Sequence, residues 1–212
     1  EITAYNENDE IYGQGGDDVI DAGNGNNIVF ADYGTLVRSG NAVASAASTP
    51  GAADGNDTVT IGNGNNIVLL GGGNDQLEFG NGNNVIFGDH GTVTFASGQA
   101  ATATATTSGG VDTITGGNGN QLVMLGVGND SLTLGTGNSV VRGHAGADTI
   151  TIAGGNNVVV GDGDLAWIPD DTNDTDSSDD GSDVITTGGG DDEIWGHAGG
   201  DPTVALTGDV IS

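Results

Sequence analysis

The chain repeats itself every nine residues, and this repeat restricts its fold more than any other feature. Each repeat is a Gly-rich turn that ends in a polar residue and is followed by a short segment with an apolar centre. The polar residue alternates between Asp and another residue, as in Asp57, Asn66, Asp75 and Asn84. After an interruption, the alternation starts again at Asp112. A fixed short period indicates stacked repeats rather than a single globular core.

The second residue after each polar position is aliphatic in all fifteen repeats that align. One inward apolar side chain between two outward neighbours is the pattern of a three-residue strand, because side chains alternate between faces along a strand. Two repeats then make one coil of 18 residues, and aliphatic ladders fill the interior. The ladder residues are Ile11, Ile20, Val29, Val59, Val68, Leu77, Ile86, Ile114, Val123, Leu132, Val141, Ile150, Val159, Ile185 and Ile194.

The composition supports a thin, cation-dependent architecture. With 42 glycines and only four Phe and two Trp in 212 residues, the chain has little material for a thick core. Its formal net charge of −28 makes the free chain repel itself and disfavours nucleic acid, anionic membranes and acidic polysaccharides as direct partners. High net charge is also typical of disordered chains, so disorder is the alternative to a stacked fold for the metal-free state. No apolar run approaches the roughly 18 residues of a membrane span.

Several segments, "GGGNDQLE", "GVGNDSLTL", "GHAGADTIT" and "GGGDDEIWG", resemble the G-G-x-G-x-D-x-U-x repeat of the RTX, or haemolysin-type, calcium-binding family. The resemblance covers about three quarters of the chain. It implies an all-β fold, a right-handed parallel β-roll, with Ca²⁺ held between turns by Asp side chains and backbone carbonyls. It also implies secretion in an unfolded state and folding in extracellular calcium. Independently, Ca²⁺ prefers oxygen ligands, which Asp carboxylates and Gly-loop carbonyls supply.

The alternation divides the turns into two kinds. The A turns end in Asp, and the B turns mostly end in Asn, Gln or Ser. Because Asn offers no charge, we expect hydrogen-bonded amide ladders at the B turns, for example between Asn63 and Asn81 or Asn65 and Asn83, with solvated Asn as the alternative. The predicted metal ligands are Asp18, Asp57, Asp75, Asp112, Asp130, Asp148, Asp183 and Asp201 at the A turns, and Asp9 and Asp192 at the B turns.

The strands also differ in their outward residues. Strands after A turns are polar, with pairs such as Thr113 and Thr115, whereas eleven of twelve outward residues after B turns are apolar. A soluble monomer rarely leaves such a patch uncovered. The repeat is broken by insertions near 35–53, 92–108 and 165–179, each of which follows a B strand. We expect them to add strands over the apolar face; the alternative is a second copy of the protein.

Further candidate functional residues lie where the insertions interrupt the repeat. Asp32, Asp89 and Asp162 are predicted either to add a carboxylate to the adjacent A site or to cap their turn. The sequence argues against zinc at His90, His144 and His197, because they lie in different coils without a second nearby His. The acidic segment from Pro169 is interpreted as a flexible loop, with an additional, weaker calcium site as the alternative. The repeats offer no nucleophile with a base, so we expect no enzyme activity.

These observations predict one β-roll segment, 1–212, of a longer protein. Its predicted function is that of a calcium-dependent structural or adhesive module of a large secreted bacterial surface or matrix protein, disordered without calcium and rigid with it. Predicted partners are calcium and other copies or neighbouring repeats, end to end or through the apolar sheet. Two alternatives remain: a solenoid that binds ice or another surface through ranks of Thr and Asn, and the secretion and folding domain of an RTX toxin or hydrolase.

Overall fold

The computed structural model describes residues 1–51, 53–162, 166–167, 182–195 and 203–205. These residues contain strands and turns but no helix, and therefore no helix long and apolar enough to cross a membrane. The strands are β1 (Ile2–Thr3), β2 (Glu10–Tyr12), β3 (Val19–Asp21), β4 (Ile28–Phe30), β5 (Gly34–Ser39), β6 (Ala42–Ser48), β7 (Thr58–Ile61), β8 (Ile67–Leu69), β9 (Gln76–Phe79), β10 (Val85–Phe87), β11 (Gly91–Ala96), β12 (Gln99–Ala105), β13 (Thr113–Gly116), β14 (Leu122–Val127), β15 (Ser131–Thr136), β16 (Val140–Ala145), β17 (Thr149–Gly154), β18 (Val158–Val160), β19 (Ala166–Trp167), β20 (Val184–Gly189), β21 (Glu193–Trp195) and β22 (Thr203–Ala205).

Two parallel sheets form the roll, and the chain alternates between them. Sheet A contains the strands that follow A turns, in the order β1-β3-β7-β9-β13-β15-β17-β20-β22, and sheet B contains those that follow B turns, in the order β2-β4-β8-β10-β14-β16-β18-β21. Val59 pairs with Leu77, one coil of 18 residues further on. Across the three insertions the offset becomes 39, 37 and 35, which is 18 plus 21, 19 or 17 inserted residues. The predicted parallel β-roll is confirmed.

The core lies between the two sheets. All fifteen ladder residues belong to one cluster of buried side chains. That cluster also contains a second inward set, two positions further along each repeat, which includes Ala22, Ile61, Leu70, Phe79 and Leu125. The sequence argument missed this set because it counted one inward residue per repeat, whereas the alternation of faces continues into the start of the next turn.

A third sheet, here called the cover sheet, lies on sheet B. It is antiparallel, in the order β19-β12-β11-β6-β5, and contains strands from all three insertions. A second apolar cluster joins the two sheets, and its fully buried members are Phe30, Leu69, Phe87 and Met124 of sheet B and Ala46, Val93 and Ala103 of the cover sheet. The prediction that the insertions fold over the apolar face is confirmed for the first two. Most of the third lies outside the described residues.

Glycine allows each of these insertions to turn back onto the roll. Gly34 and Gly91 open the first and second insertions, and each lies directly against an aromatic ring of the preceding B strand. A Cβ atom at Gly34 would collide with the ring of Phe30, and one at Gly91 with the ring of Phe87. The Asp-x-Gly sequence at both breaks therefore starts the cover sheet.

Candidate calcium sites

The aspartates of the A turns form one continuous column along the roll. Each carboxylate after Asp18 accepts a hydrogen bond through Oδ1 from the backbone N–H of the corresponding Asp in the preceding coil, over 2.7 to 2.8 Å. Stacking at strand spacing places these groups in register, so the column follows directly from the nonapeptide repeat. Its members in the described residues are Asp18, Asp57, Asp75, Asp112, Asp130, Asp148 and Asp183.

The second carboxylate oxygen of the central members is left without a partner. In Asp57, Asp75, Asp112, Asp130 and Asp148, Oδ2 is buried and accepts no hydrogen bond. A buried acceptor without a partner is costly, and one such atom in each of several successive coils is not a local accident. A cation with a preference for oxygen is the partner that fits a repeated column of this kind.

The electrostatics of the column lead to the same conclusion. Burial, together with smaller contributions from the charges of Asp112 and Asp57, raises the pKa of Asp75 from its ordinary value of 3.8 to about 8. Burial likewise raises the pKa of Asp148 to about 9 and that of Asp112 to about 7. The pKa values of Asp57 and Asp130 are raised to about 6, also mainly by burial. A bound divalent cation reverses this effect, because it stabilises the ionised form.

The turns between these carboxylates can be made only with glycine. Gly73 and Gly128 have φ values of 120° and 148°, in the region that side chains other than glycine rarely adopt. A Cβ at either position would also collide with the carbonyl oxygen of the turn glycine in the preceding coil, Gly55 or Gly110. Close stacking of these turns brings backbone carbonyl oxygens beside the carboxylate column.

The remaining predicted ligands occupy different places. Asp9 and Asp18 are half-buried in the first coil. Asp183 and Asp192 are buried, and Asp192 accepts hydrogen bonds from both the backbone N–H and the Nδ2 of Asn157, which places it in the B column. Asp201 lies outside the described residues.

The aspartates at the breaks cap turns and also lie beside the column. Asp32 accepts a hydrogen bond from the Gly72 N–H at 2.9 Å, and Asp89 accepts one from the Gly110 N–H at 2.9 Å. Burial raises the pKa of Asp32 to about 7 and that of Asp89 to about 9, and charges of column aspartates contribute to both shifts. Asp162 is buried as well. Both functions predicted for these positions are thus compatible with their geometry.

The B turns that end in Asn66 and Asn84 satisfy the polar atoms of these side chains without a metal. The Oδ1 of Asn84 accepts a hydrogen bond from the backbone N–H of Asn66 at 2.8 Å. The Nδ2 of Asn66 donates to the Gly64 carbonyl at 3.2 Å and to the Asn84 Oδ1 at 2.9 Å. An amide nitrogen therefore makes hydrogen bonds at the position where the A turns present an unpartnered carboxylate oxygen.

The outer Asn residues of the B turns form further ladders. Asn81 donates from its backbone N–H and from Nδ2 to the Oδ1 of Asn63, at 2.9 and 3.0 Å. Asn83 donates from its backbone N–H to the Oδ1 of Asn65 at 2.8 Å. The predicted amide ladders are confirmed in preference to independently solvated side chains.

One cluster was missed by the sequence argument. Asp32, Asp54 and His90 each offer one ligand atom, and these atoms lie within 4.8 Å of one another. The argument against zinc considered only a second His and overlooked carboxylates brought in by another insertion. Asp54 closes the first insertion and His90 opens the second, so only the stacking register could have indicated their contact. His144 is also buried, and His197 lies outside the described residues.

A roll of Gly-rich nonapeptide coils with a buried aspartate column defines a calcium-binding β-roll protein. The family model of the RTX calcium-binding nonapeptide repeat, which describes four copies of the repeat, matches more than half of the chain. The matched ranges are 2–32, 52–86, 101–132, 124–159 and 170–201. The chain belongs to this family, and Ca²⁺ is its cofactor. RTX repeats occur in secreted bacterial proteins. A comparison with curated proteins gives no match.

Proposed function

We propose that this chain is a calcium-stiffened structural module of a large secreted bacterial surface or matrix protein. The observation that carries the proposal is the column of buried A-turn carboxylates, in which the five central members from Asp57 to Asp148 each commit one oxygen to the neighbouring coil and leave the other without a hydrogen-bond partner. The proposed ligands are the column aspartates, joined by turn carbonyls. The proposed role is structural and adhesive rather than catalytic.

Charge supplies the mechanism of the switch. Without calcium, folding would bury several like-charged carboxylates beside one another in a chain of net charge −28. Calcium compensates that charge one coil at a time and lets the aliphatic ladder close between the sheets. Because a preformed site does not exist in the unfolded chain, binding and folding share one free energy.

The ends of the roll are the proposed points of contact with neighbouring modules. Within the described residues β1 and β2 lie at the edges of sheets A and B, and an open strand edge pairs readily with another strand. The cover sheet buries the centre of sheet B, but Val158 and Trp195 near its other end are 36% and 37% exposed. We therefore place self-association at the ends rather than across the apolar face.

A calcium titration followed by circular dichroism and small-angle scattering tests the proposal. We expect an unfolded chain at neutral pH without calcium and a cooperative transition to a β-structured rod with calcium, which Mg²⁺ reproduces poorly because it demands a smaller, octahedral shell. Asp112→Asn should raise the calcium midpoint several-fold. Glu78→Gln, an exposed charge removed from the same sheet, is the matched control and should change little. A fully β-structured protein in excess chelator at neutral pH would contradict the mechanism.

A second candidate, binding of ice or another regular surface, has one specific observation in its favour. The outward residues of sheet A stand in register, with Thr115 beside Thr133 and Thr133 beside Thr151. Gln76 and Glu78 on β9 interrupt the Thr ranks. Thermal hysteresis of the calcium-loaded protein would support this activity, provided that replacing Thr133 by Leu reduces it; absence of hysteresis and of ice shaping would exclude it.

A further inference from the structure

Three side chains with metal-binding atoms meet where the cover sheet joins the roll. Asp32 and Asp54 stand at the two ends of the first insertion, and His90 stands at the start of the second. The Nε2 of His90 lies 3.0 Å from the Oδ2 of Asp54, and one ligand atom of each of the three residues lies within 4.8 Å of the others. The fold therefore brings together residues from two insertions that are remote in the sequence.

The cluster is buried and its hydrogen bonding is incomplete. Asp32 is 1% exposed and His90 is fully buried. The Oδ1 of Asp32 and the Oδ1 of Asp54 are buried and have no hydrogen-bond partner. Asp32 uses its other oxygen to accept from Gly72, and Asp54 uses its other oxygen for His90 and the Gly51 N–H. Two buried carboxylates thus each keep one oxygen for a ligand that is not part of the chain.

The backbone leaves room between these groups. Gly72 lies in the coil between the Asp32 turn and the His90 turn, because β8 pairs with both β4 and β10. A Cβ at Gly72 would stand 3.0 Å from the Asp54 Oδ2 and 3.1 Å from the His90 Nε2. A side chain at this position would therefore fill the space between the imidazole and the carboxylates, and glycine keeps it free.

The ligand set selects the kind of ion. Calcium takes oxygen ligands, whereas an imidazole nitrogen with carboxylate oxygens suits zinc and its neighbours in the first transition series. Zinc bonds of about 2.0 Å place ligand atoms about 3.3 Å apart in a tetrahedral shell, which is close to the observed His90 to Asp54 separation. We propose that Asp32, Asp54 and His90 form a binding site for a divalent transition-metal ion of the zinc class, separate from the calcium column.

The proposed ion holds the cover sheet to the roll. It ties both ends of the first insertion to the beginning of the second, so that β5, β6, β11 and β12 are anchored at one point. The corresponding junction of the second insertion lacks this chemistry, since Gly109 stands in place of Asp54 and Val127 in place of Gly72. The site is thus particular to the first junction and does not follow from the calcium repeat.

Calorimetric titration of the calcium-loaded protein with Zn²⁺ tests the site while calcium fills the column. We expect about one equivalent to bind tightly, and His90→Gln and Asp54→Asn each to weaken binding at least tenfold. His197→Gln removes a histidine that is not one of the three proposed ligands and should leave the Zn²⁺ affinity unchanged. Circular dichroism in calcium checks that each variant still folds as a β-roll.

Cobalt gives a readout that needs no variant. Co²⁺ added to the calcium-loaded wild-type protein should produce the intense visible absorption of a tetrahedral complex, and one equivalent of Zn²⁺ should remove it. The proposal is overturned if the wild-type protein shows no such band, if Zn²⁺ binds only at millimolar concentration, or if His197→Gln weakens binding as much as His90→Gln does.

Discussion

Acid should fold the calcium-free chain. Burial raises the pKa of Asp75 to about 8, and raises those of Asp89 and Asp148 to about 9. In the unfolded chain the same carboxyls ionise near 3.8. Between pH 5 and pH 7 these three carboxyls alone bind about three more protons in the folded state than in the unfolded state, so the stability of the folded state rises as the pH falls. This contribution is complete below the unfolded pKa and is lost as the pH rises through the folded values.

The magnitude follows from the number of protons. One pKa unit corresponds to about 1.4 kcal/mol, so three carboxyls contribute about 4 kcal/mol of stability for each pH unit in this range. A change of that size over two pH units equals a large part of the usual stability of a domain. Protonation thus substitutes for calcium at the column, although it supplies no bond between coils.

The assay is circular dichroism from pH 7 to pH 5, with urea unfolding at each pH at which the chain is folded. The protein is freed of calcium by a chelating resin, because a soluble chelator itself titrates in this range. Asp75→Asn removes one of the three protons and should reduce the pH dependence by about 1.4 kcal/mol per pH unit. Glu78→Gln removes an equal charge from an exposed position on β9, three residues after Asp75, and should not reduce the pH dependence. Equal stability at pH 5 and 7, or the same slope in Asp75→Asn as in the wild-type protein, would refute the reasoning.

Three further predictions concern packing and turns. Phe87→Ala should destabilise the calcium-loaded protein by about 3 to 5 kcal/mol and increase binding of a hydrophobic dye, whereas the exposed Tyr5→Ala should do neither. Asn66→Asp removes the amide donor of a B turn and should cost about 1 to 3 kcal/mol in denaturant unfolding of the calcium-loaded protein; an unchanged midpoint would contradict the amide ladder. Gly128→Ala should lower the melting temperature more than Gly16→Ala, because both residues have positive φ but only a Cβ at Gly128 would collide with a neighbouring turn.

The roll itself could be predicted because its determinants are local and repeated. The position of a residue within the nonapeptide decides whether its side chain faces the core. An irregular copy of the repeat can still be assigned by alignment with the other copies. The lengths of the insertions can be counted from the same register, because after each insertion the repeat resumes at an A turn. The cover sheet could be anticipated from the apolar outward residues of sheet B, such as Phe30 and Phe87, which no soluble chain leaves uncovered.

The cluster at the first junction could not be found in this way. Asp54 and His90 are 36 residues apart and belong to different insertions, so no period relates them. Their contact depends on which coils are neighbours and on how each insertion leaves the roll. The only local sign is Gly72, and the chain has too many turn glycines for one of them to be distinctive. Chemistry at a junction between repeats and insertions is therefore visible only once the register is known.

The two sides of the roll are stabilised by different means, and this difference decides what calcium controls. At the B turns each coil carries its own hydrogen-bond donors in the amides of Asn66 and Asn84, and the cover sheet packs on the same side. At the A turns the five central coils, from Asp57 to Asp148, each present a carboxylate oxygen that accepts no hydrogen bond from the chain and that a proton or a cation would satisfy. Every coil passes through both sides, so a coil cannot close on the B side while its A turn remains repelled. Under the proposed mechanism we therefore expect calcium to control folding of the whole roll although it binds along one edge. Amides at the B turns confine the charge that calcium must compensate to that edge, since aspartates on both sides would add a second column of buried carboxylates.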